Sequence, residues 1–372
     1  MTTTINNEQK KLNVPNLRFP EFQGEWEKCT LEDITENISS GRCKSYSSNG
    51  KYNLYGSTGI IGKTDEACYE GNLVLVARVG ANAGSLQIIN EPCGITDNTL
   101  IIKPKKVDAQ YIYYFLQHFN LNRLVFGSGQ PLITGGMLKK VKVSLGNIQE
   151  QNKLTRLLSL LDERIATQNK IIEDLKELKS AIIEKLYKEI QGTWYSYRQL
   201  FSIINERNKQ LEYSNVLSAS QERGMVSRED LNLDIHFERS NISTYKIVKN
   251  GDYVIHLRSF QGGFAFSEKT GICSPAYTVL RPNNLLVYGY LSNYFTSRDF
   301  VKSLIIVTYG IRDGRSINVD EWLDMKVVIP SKEQQTHIVN VIESIENKNK
   351  NEETYSNCLL NQKQYLLRQI FI

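Results

Sequence analysis

Two stretches of the chain place apolar residues at alternating spacings of four and three, which is the pattern of a coiled coil. The first stretch follows the helix-capping residue Asn147, and the second follows Pro330 and a capping box that begins at Ser331. We therefore predict long helices over 148–190 and 331–372. The residues predicted to pair the helices are Leu154, Leu158, Leu161, Ile165, Ile172, Leu175, Ile182, Ile338, Ile342, Ile345, Leu359 and Leu366.

The second helix is apolar at both ends of its pattern and polar in the middle. Asn349, Glu352 and Ser356 occupy positions that are apolar elsewhere in the repeat. We expect the two helices to pack antiparallel, with a weak or wet centre.

The remaining sequence contains an internal repeat of two similar segments. A Gln-Gly-x-Trp tetrapeptide ends at Trp26 and again at Trp194, and a Gly-to-Arg strand pattern occurs at Gly71–Arg78 and Gly251–Arg258. Each copy ends in a Val-rich strand that leads into a long helix. The prediction is an α+β fold with an internal pseudo-repeat: two globular α/β domains joined by two long antiparallel helices, with ranges 1–147, 148–190, 191–330 and 331–372.

Two shorter patterns refine this picture. Aromatic patches at Tyr111–Leu116 and Tyr290–Phe295 are each typical of a helix. The segment Gly80–Gly84 lacks the spacing of a dinucleotide-binding loop and runs into an apparent strand, so it predicts a glycine-rich hairpin.

Charge separates the parts of the chain. The formal net charge is +5, but each long helix carries equal numbers of acidic and basic residues. The excess lies in the globular parts, with 16 basic and 13 acidic residues in 1–147 and 16 and 14 in 191–330. Balanced helices suit pairing or a protein partner, whereas mildly positive domains suit a polyanion.

Several classes of protein are disfavoured. The longest apolar runs are far shorter than a membrane span, and the N-terminus lacks a signal-peptide pattern, so we expect a cytoplasmic protein. Six scattered cysteines without a CxxC pair, and four histidines, favour neither disulfides nor a zinc site. No P-loop, HExxH, GxSxG or Asn/Asp-Pro-Pro-aromatic motif occurs, so we assign no catalytic or metal-binding residue.

The order of several segments resembles the specificity (S) subunits of type I restriction-modification systems over essentially the full length. The segments that carry the resemblance are Leu17–Trp26, Tyr55–Gly62, Gly127–Pro131, Gln149–Gln151, Val248–Val254, Ser259–Gly263, Ser274–Pro282 and Glu333–Gln335.

The resemblance implies two target recognition domains, each reading one half of a bipartite, asymmetric site in double-stranded DNA, with the helices as a spacer. A helix of about 40 residues is about 60 Å long. It also implies two methylation (M) subunits that bind S-adenosylmethionine for adenine methylation, and restriction (R) subunits that use ATP and Mg. This chain would itself carry no cofactor and no catalysis.

Contacts to DNA need Lys or Arg for phosphates and favour Arg, Lys, Asn and Gln for base edges. The candidate DNA-binding residues are Arg42, Lys44, Lys63, Arg78, Asn82, Gln130, Arg207, Lys209, Gln221, Arg223, Arg258, Gln261, Arg312 and Arg315. For any of them a solvated surface charge is the alternative, and Arg78 and Arg258 could instead pair with an acidic neighbour at a strand end.

Two other functions stay open at this point. The chain could be a coiled-coil scaffold without DNA reading, which salt-dependent DNA affinity would distinguish. It could also be a self-contained DNA-modifying enzyme, which S-adenosylmethionine binding by the isolated chain would support.

Overall fold

The computed structural model describes residues 12–44, 46–125, 131–220, 223–231, 239–256, 263–309 and 316–372. The chain divides into two compact units. Unit 1 comprises Met1–Asn169 with Thr354–Ile372, and unit 2 comprises Lys170–Glu353. The four predicted domain ranges stay a prediction.

Unit 1 is built around a four-stranded antiparallel sheet. The strands of the whole unit are β1 (Glu27–Thr30), β2 (Thr35–Ser40), β3 (Tyr52–Gly56), β4 (Gly59–Thr64), β5 (Asn72–Ala77), β6 (Leu86–Asn90), β7 (Cys93–Ile95), β8 (Thr99–Pro104) and β9 (Lys142–Leu145). Its helices are α1 (Ala109–Phe119), α2 (Gly135–Lys139) and the start of α3 (Ile148–Lys188). The main sheet has the order β2-β8-β5-β6, a second sheet has the order β4-β3-β7, and β1 pairs with β9.

Unit 2 contains a sheet of the same size. Its strands are β10 (Thr193–Ser196), β11 (Phe201–Ile204), β12 (Leu217–Ser220), β13 (Gly224–Ser227), β14 (Lys246–Val248), β15 (Tyr253–Ile255), β16 (Phe264–Phe266), β17 (Gly271–Cys273), β18 (Thr278–Pro282), β19 (Thr308–Tyr309), β20 (Ser316–Ile317) and β21 (Lys326–Ile329). Its helices are α4 (Tyr197–Leu200), α5 (Arg298–Ser303), α6 (Val319–Asp324) and the start of α7 (Lys332–Ile370).

The internal repeat is confirmed by the strand order. The main sheet of unit 2 runs β11-β18-β15-β16, which matches β2-β8-β5-β6 position by position. The pair β10-β21 matches β1-β9, and in both units the long helix begins three residues after the last strand of that pair. The α+β class is confirmed as well.

Local signals fix the starts of both long helices. The side chain of Asn147 accepts a hydrogen bond from the backbone N–H of Glu150 at 2.9 Å, and Ser331 accepts one from that of Gln334 at 3.4 Å. Such caps satisfy backbone donors that the first helical turn leaves unpaired.

The helices pack antiparallel within each unit. In unit 1, Asp162 binds Lys363 at 2.6 Å, and Asn169 accepts a hydrogen bond from Ser356 at 2.9 Å. Residue numbers therefore rise along α3 while those of the contacting residues in α7 fall. In unit 2, Lys179 binds Glu346 at 2.6 Å. The buried residues among those predicted to pair the helices are Leu154, Leu158, Ile165, Ile172, Ile338, Ile342 and Leu359, and the half-buried ones are Leu161, Leu175, Ile182, Ile345 and Leu366.

The polar centre of α7 also lies at this seam. Ser356 is buried, and Asn349 and Glu352 are half-buried. Burying polar groups contributes less stability than burying leucine. The expectation of a weak or wet centre stays a prediction.

Aromatic side chains fill the core of each unit. In unit 1, Tyr111 on α1 packs edge-on against Phe371, with ring centroids 5.4 Å apart. In unit 2, Tyr197 stacks on Trp322 at 4.3 Å, and Phe295 packs beside both rings. Each fully buried aromatic side chain contributes roughly 1.5–3 kcal/mol.

The helix predicted at Tyr111–Leu116 is confirmed, and the helix predicted at Tyr290–Phe295 is wrong. The patch Tyr111–Leu116 lies within α1, but Tyr290–Phe295 forms turns that end in a 3₁₀ helix at Tyr294–Thr296. Gly289 has φ +71°, and Ser292 N–H donates to the carbonyl of Gly289 three residues earlier. The left-handed glycine and the short-range bonding prevent an α-helix from starting there.

Candidate nucleic-acid interface

A β-hairpin projects one candidate cation of unit 1. β3 and β4 are joined by the two-residue loop Ser57–Thr58, and Gly59 has φ +112°, a conformation that suits glycine. On β4, Lys63 is exposed and its Nζ donates to Asn53 Oδ1 at 2.8 Å. The hairpin therefore presents an ammonium group that is oriented by a neutral side chain.

A carboxylate at the base of the hairpin fixes that orientation. Glu91 Oε1 accepts hydrogen bonds from Asn53 Nδ2 at 2.6 Å and from the Tyr55 hydroxyl at 2.7 Å. The hydrogen bond from Tyr55, then that from Asn53, lowers the pKa of Glu91. Burial, followed by the hydrogen bond to Glu91, raises the pKa of Tyr55 to about 12. Glu91 thus stays ionised and holds the Asn53 amide so that its oxygen faces Lys63.

Arg42 and Lys44 lie on the segment that follows β2. Cys43 between them is buried and its N–H donates to the carbonyl of Ile95 at 2.9 Å, so both cations are exposed on the outer side of the segment. The same segment continues along β4, because Ser47 N–H donates to the carbonyl of Lys63 at 2.9 Å. The structure therefore brings Arg42, Lys44 and Lys63 onto neighbouring segments of one surface.

Arg78 and Asn82 lie on a second surface of unit 1, at the turn between β5 and β6. This turn confirms the glycine-rich hairpin predicted at Gly80–Gly84. Arg78 is half-buried, and its Nε is buried without a hydrogen-bond partner in the described part of the chain. The alternative, an ion pair with an acidic neighbour, is not seen among the described residues. Asn82 is exposed at the tip.

Unit 2 presents its described candidates on two connections. Arg207 and Lys209 are exposed between β11 and β12, where Lys209 N–H donates to the carbonyl of Arg207 at 2.8 Å. Arg223 is exposed at the β12–β13 hairpin. The candidates Gln130, Gln221, Arg258, Gln261, Arg312 and Arg315 lie outside the described residues.

Sequence reasoning overlooked three residues near the surface that bears Arg42, Lys44 and Lys63, namely Tyr46, Lys51 and Tyr52. Tyr46 is exposed and lies beside Gly62. Lys51 is exposed, and its Nζ lies 5.3 Å from the centroid of the Tyr52 ring. The signal was present, because Arg42, Lys44 and Lys51 are interleaved with Tyr46 and Tyr52. Basic side chains supply the phosphate contacts that a DNA-binding surface needs.

Other chemistry is sparse in the part of the chain that the structure describes. No group of three or more His, Cys, Asp or Glu is placed to hold a metal ion there. No described helix is both long and apolar enough to cross a membrane. The cytoplasmic location stays a prediction.

Comparison with known families and curated proteins gives a consistent result. Residues 23–177 match the family model described as Type I restriction modification DNA specificity domain. The Type I restriction enzyme EcoprrI specificity subunit of Escherichia coli is 24% identical over 176 residues, which span 44% of this chain and 42% of that protein. The MjaVIII specificity subunit of Methanocaldococcus jannaschii is 24% identical over 320 residues, spanning 74% of this chain and 72% of that protein.

Solved structures agree in fold. The type I restriction-modification S subunit from M. genitalium has a TM-score of 0.59 at 15% identity, covering 96% of this chain and 99% of that one. A chain from a structural study of assembly and conformational transition in the type I R-M system has a TM-score of 0.60 at 12% identity, covering 93% and 97%. At these identities the likeness shows the fold alone.

Proposed function

This chain belongs to the specificity subunits of type I restriction-modification systems, and we propose that each unit recognises one half of a bipartite, asymmetric site in double-stranded DNA. The observation that carries the proposal is where ion pairs occur. Several cations of the long helices bind carboxylates, as Lys179 binds Glu346 and Lys363 binds Asp162. The described candidate cations form no ion pair with a carboxylate in the described part of the chain; they are Arg42, Lys44, Lys63, Arg78, Arg207, Lys209 and Arg223.

Unpaired cations on a folded surface are available to phosphates. Each phosphate contact displaces condensed counterions, so the affinity of such a surface for DNA falls as salt rises. Base edges then need neutral donors and acceptors at the same surface, and Asn82 is exposed on the turn that follows Arg78.

The two units offer different surfaces on one frame. Beside its main sheet, unit 1 has the three-stranded sheet β4-β3-β7, whereas unit 2 has the separate pairs β12-β13 and β14-β17. Different loops on a common scaffold are how one fold reads different ligands. This difference supports two half-sites of unlike sequence.

The reaction itself would belong to partner subunits. We propose that this chain is non-catalytic and directs adenine methylation or restriction by two methylation subunits, which hold S-adenosylmethionine, and by restriction subunits, which use ATP and Mg. In the complex this chain would supply sequence recognition and no cofactor.

The two alternatives have less support. The matched proteins are specificity subunits rather than enzymes of their own, and a pure scaffold leaves the unpaired cations of both units without a role.

The test is duplex binding by the full chain in complex with its methylation subunit, measured from about 50 to 200 mM salt. We expect a steep, linear fall of log affinity with log salt, together with a tighter class of sites. Affinity that does not depend on salt, or no binding, would contradict DNA reading.

A further inference from the structure

A polar cleft opens in unit 1 where α1 ends. Its volume is about 390 Å³, and it is lined by Gln117, His118, Asn120, Gln364, Leu367 and Arg368. Asn120 ends α1 in a left-handed conformation, with φ 56°, and its N–H donates to the carbonyl of Leu116. The cleft thus lies between the last turn of α1 and the C-terminal part of α7.

The charged side chains described at this cleft are all cationic. His118 is half-buried, with its ring centroid 6.0 Å from that of Phe371, and Arg123 lies over the ring of Phe119 at 5.6 Å. Burial, and then the nearby charges of Arg123 and Arg368, lower the pKa of His118. Neither arginine forms an ion pair with a carboxylate in the described part of the chain.

The helix dipoles do not cancel this charge. Both α1 and α7 end at the cleft, and the carbonyl end of each helix carries about half a negative charge. Two guanidinium groups exceed the sum of these partial charges, so the cleft stays positive while His118 is neutral.

Unit 2 shows what a compensated version of this position looks like. The residue 184 positions before Arg368, at the matching place in α3, is Glu184. Its Oε1 lies 3.7 Å from Nε of Arg298, the first residue of α5. The same place in the repeat therefore holds an acid paired with a cation in unit 2, whereas the charged residues described there in unit 1 are cations.

The cleft also adjoins a predicted DNA-contacting turn. The 3₁₀ segment Leu121–Leu124 carries Arg123, and a Cβ placed on Gly84 would lie 3.2 Å from both Asn122 Oδ1 and the Leu121 side chain. Gly84 closes the turn that bears Asn82. The cationic cleft is therefore continuous with the second surface of unit 1.

We infer that this cleft is a phosphate-binding site, formed by Arg368, His118 and the side-chain amides of Gln117 and Gln364, with Arg123 beside it on the ring of Phe119. Arg368 can bind two phosphate oxygens through its planar guanidinium. A bound phosphate favours protonation of His118, which then becomes a third positively charged donor. The phosphate would be that of a DNA backbone, which rests on the proposed function, or a small free phosphate.

The first experiment measures DNA affinity of the full chain with its methylation subunit. Arg368→Gln should weaken cognate and unrelated duplexes by a similar factor, about three- to tenfold, and reduce the salt slope by about 1. Arg298→Gln, which removes the same charge from the compensated position in unit 2, should have little effect. Equal losses in both variants would reduce the effect to net charge and overturn the site as a DNA contact.

The second experiment follows the His118 resonance by NMR in the full chain, with inorganic phosphate or duplex DNA as the probe. We expect the probe to raise the pKa of His118, and Arg368→Gln to abolish that shift while Arg298→Gln preserves it. A response to DNA supports the backbone phosphate as the source, and a response to inorganic phosphate alone supports a small phosphate. No response to either probe would overturn the site, while salt-dependent DNA binding would still leave the proposed function standing.

Discussion

The Gln-Gly-x-Trp tetrapeptide occurs in both units, but its tryptophan is buried in unit 1 and exposed in unit 2. In unit 1, Trp26 is 3% exposed and its Nε1 donates to Glu150 Oε2 at 3.1 Å, whereas Trp194 of unit 2 is 64% exposed. Strand pairing gives the reason. Glu27 lies opposite Leu145 and Thr193 lies opposite Ile329, each three residues before a long helix, so the two tryptophans differ by two positions in the common frame. Trp26 precedes β1, whereas Trp194 lies within β10 and occupies the place of the exposed Lys28.

An arm of the chain completes the difference. Arg18 binds both carboxylate oxygens of Glu150, at 2.8 and 2.9 Å, and donates to the carbonyl of Gly24 at 2.6 Å. The matching residue in α7 is Gln334, which is exposed. Among the described residues, a buried ion pair closes the start of the long helix in unit 1 and none does so in unit 2. Sequence repeats alone do not predict such an ion pair.

The largest contrast is expected at the tryptophans. Trp26→Ala should destabilise the protein by about 4 kcal/mol, because it removes a buried side chain and leaves a cavity. Trp194→Ala should change stability by less than about 0.5 kcal/mol. Chemical denaturation of the full chain compares them, and similar losses would show that both side chains pack alike.

The buried ion pair comes next. Glu150→Ala leaves Arg18 without its carboxylate and the indole of Trp26 without its acceptor, and should cost about 3 kcal/mol. Gln334→Ala is the matched control and should cost less than about 0.5 kcal/mol. Thermal unfolding compares the two variants. A negligible change in stability for Glu150→Ala would contradict a stabilising role of the Arg18–Glu150 ion pair.

A smaller difference of opposite sign is expected one residue later. Gln335 accepts from Val287 N–H and donates to the carbonyls of Leu285 and Pro330, whereas Gln151 donates to the carbonyl of Gly146. Gln335→Ala should therefore cost about 2 kcal/mol and Gln151→Ala about 1 kcal/mol. The reverse order in denaturant midpoints would contradict this assignment.

The smallest effect depends on pH and belongs to unit 1. Hydrogen bonds lower the pKa of Glu91 in the folded protein. The contribution of Glu91 to the free energy of unfolding is therefore present above the ordinary pKa of a glutamate, about 4.3, and is lost as pH falls through the lowered value. The stability difference between the natural protein and Glu91→Gln should shrink on acidification from pH 6 to pH 3. A difference that is constant over this range would contradict the role of Glu91.

These contrasts mark what sequence can predict. The long helices are predicted because their signals are local: a cap at Asn147 or Ser331 and a repeat that continues for many turns. The burial of Trp26 involves Glu150, which also binds Arg18 from 132 residues away, and no local pattern specifies that contact.

The candidate interface shows the same limit. Arg42, Lys44 and Lys63 can be chosen by charge, and their exposure on neighbouring segments agrees with that choice. The orientation of Lys63 depends on Asn53 and on Glu91, 38 residues further along the chain. Which cations are already paired is decided by tertiary structure, and composition does not reveal it.

The most direct test of a two-unit DNA reader is the genome-wide map of methylated adenines when the full chain acts with its methylation subunit. The map should give a bipartite, non-palindromic site, with Arg78→Ala relaxing one half and Arg207→Ala relaxing the other. A palindromic site, or variants that leave both halves unchanged, would contradict the account.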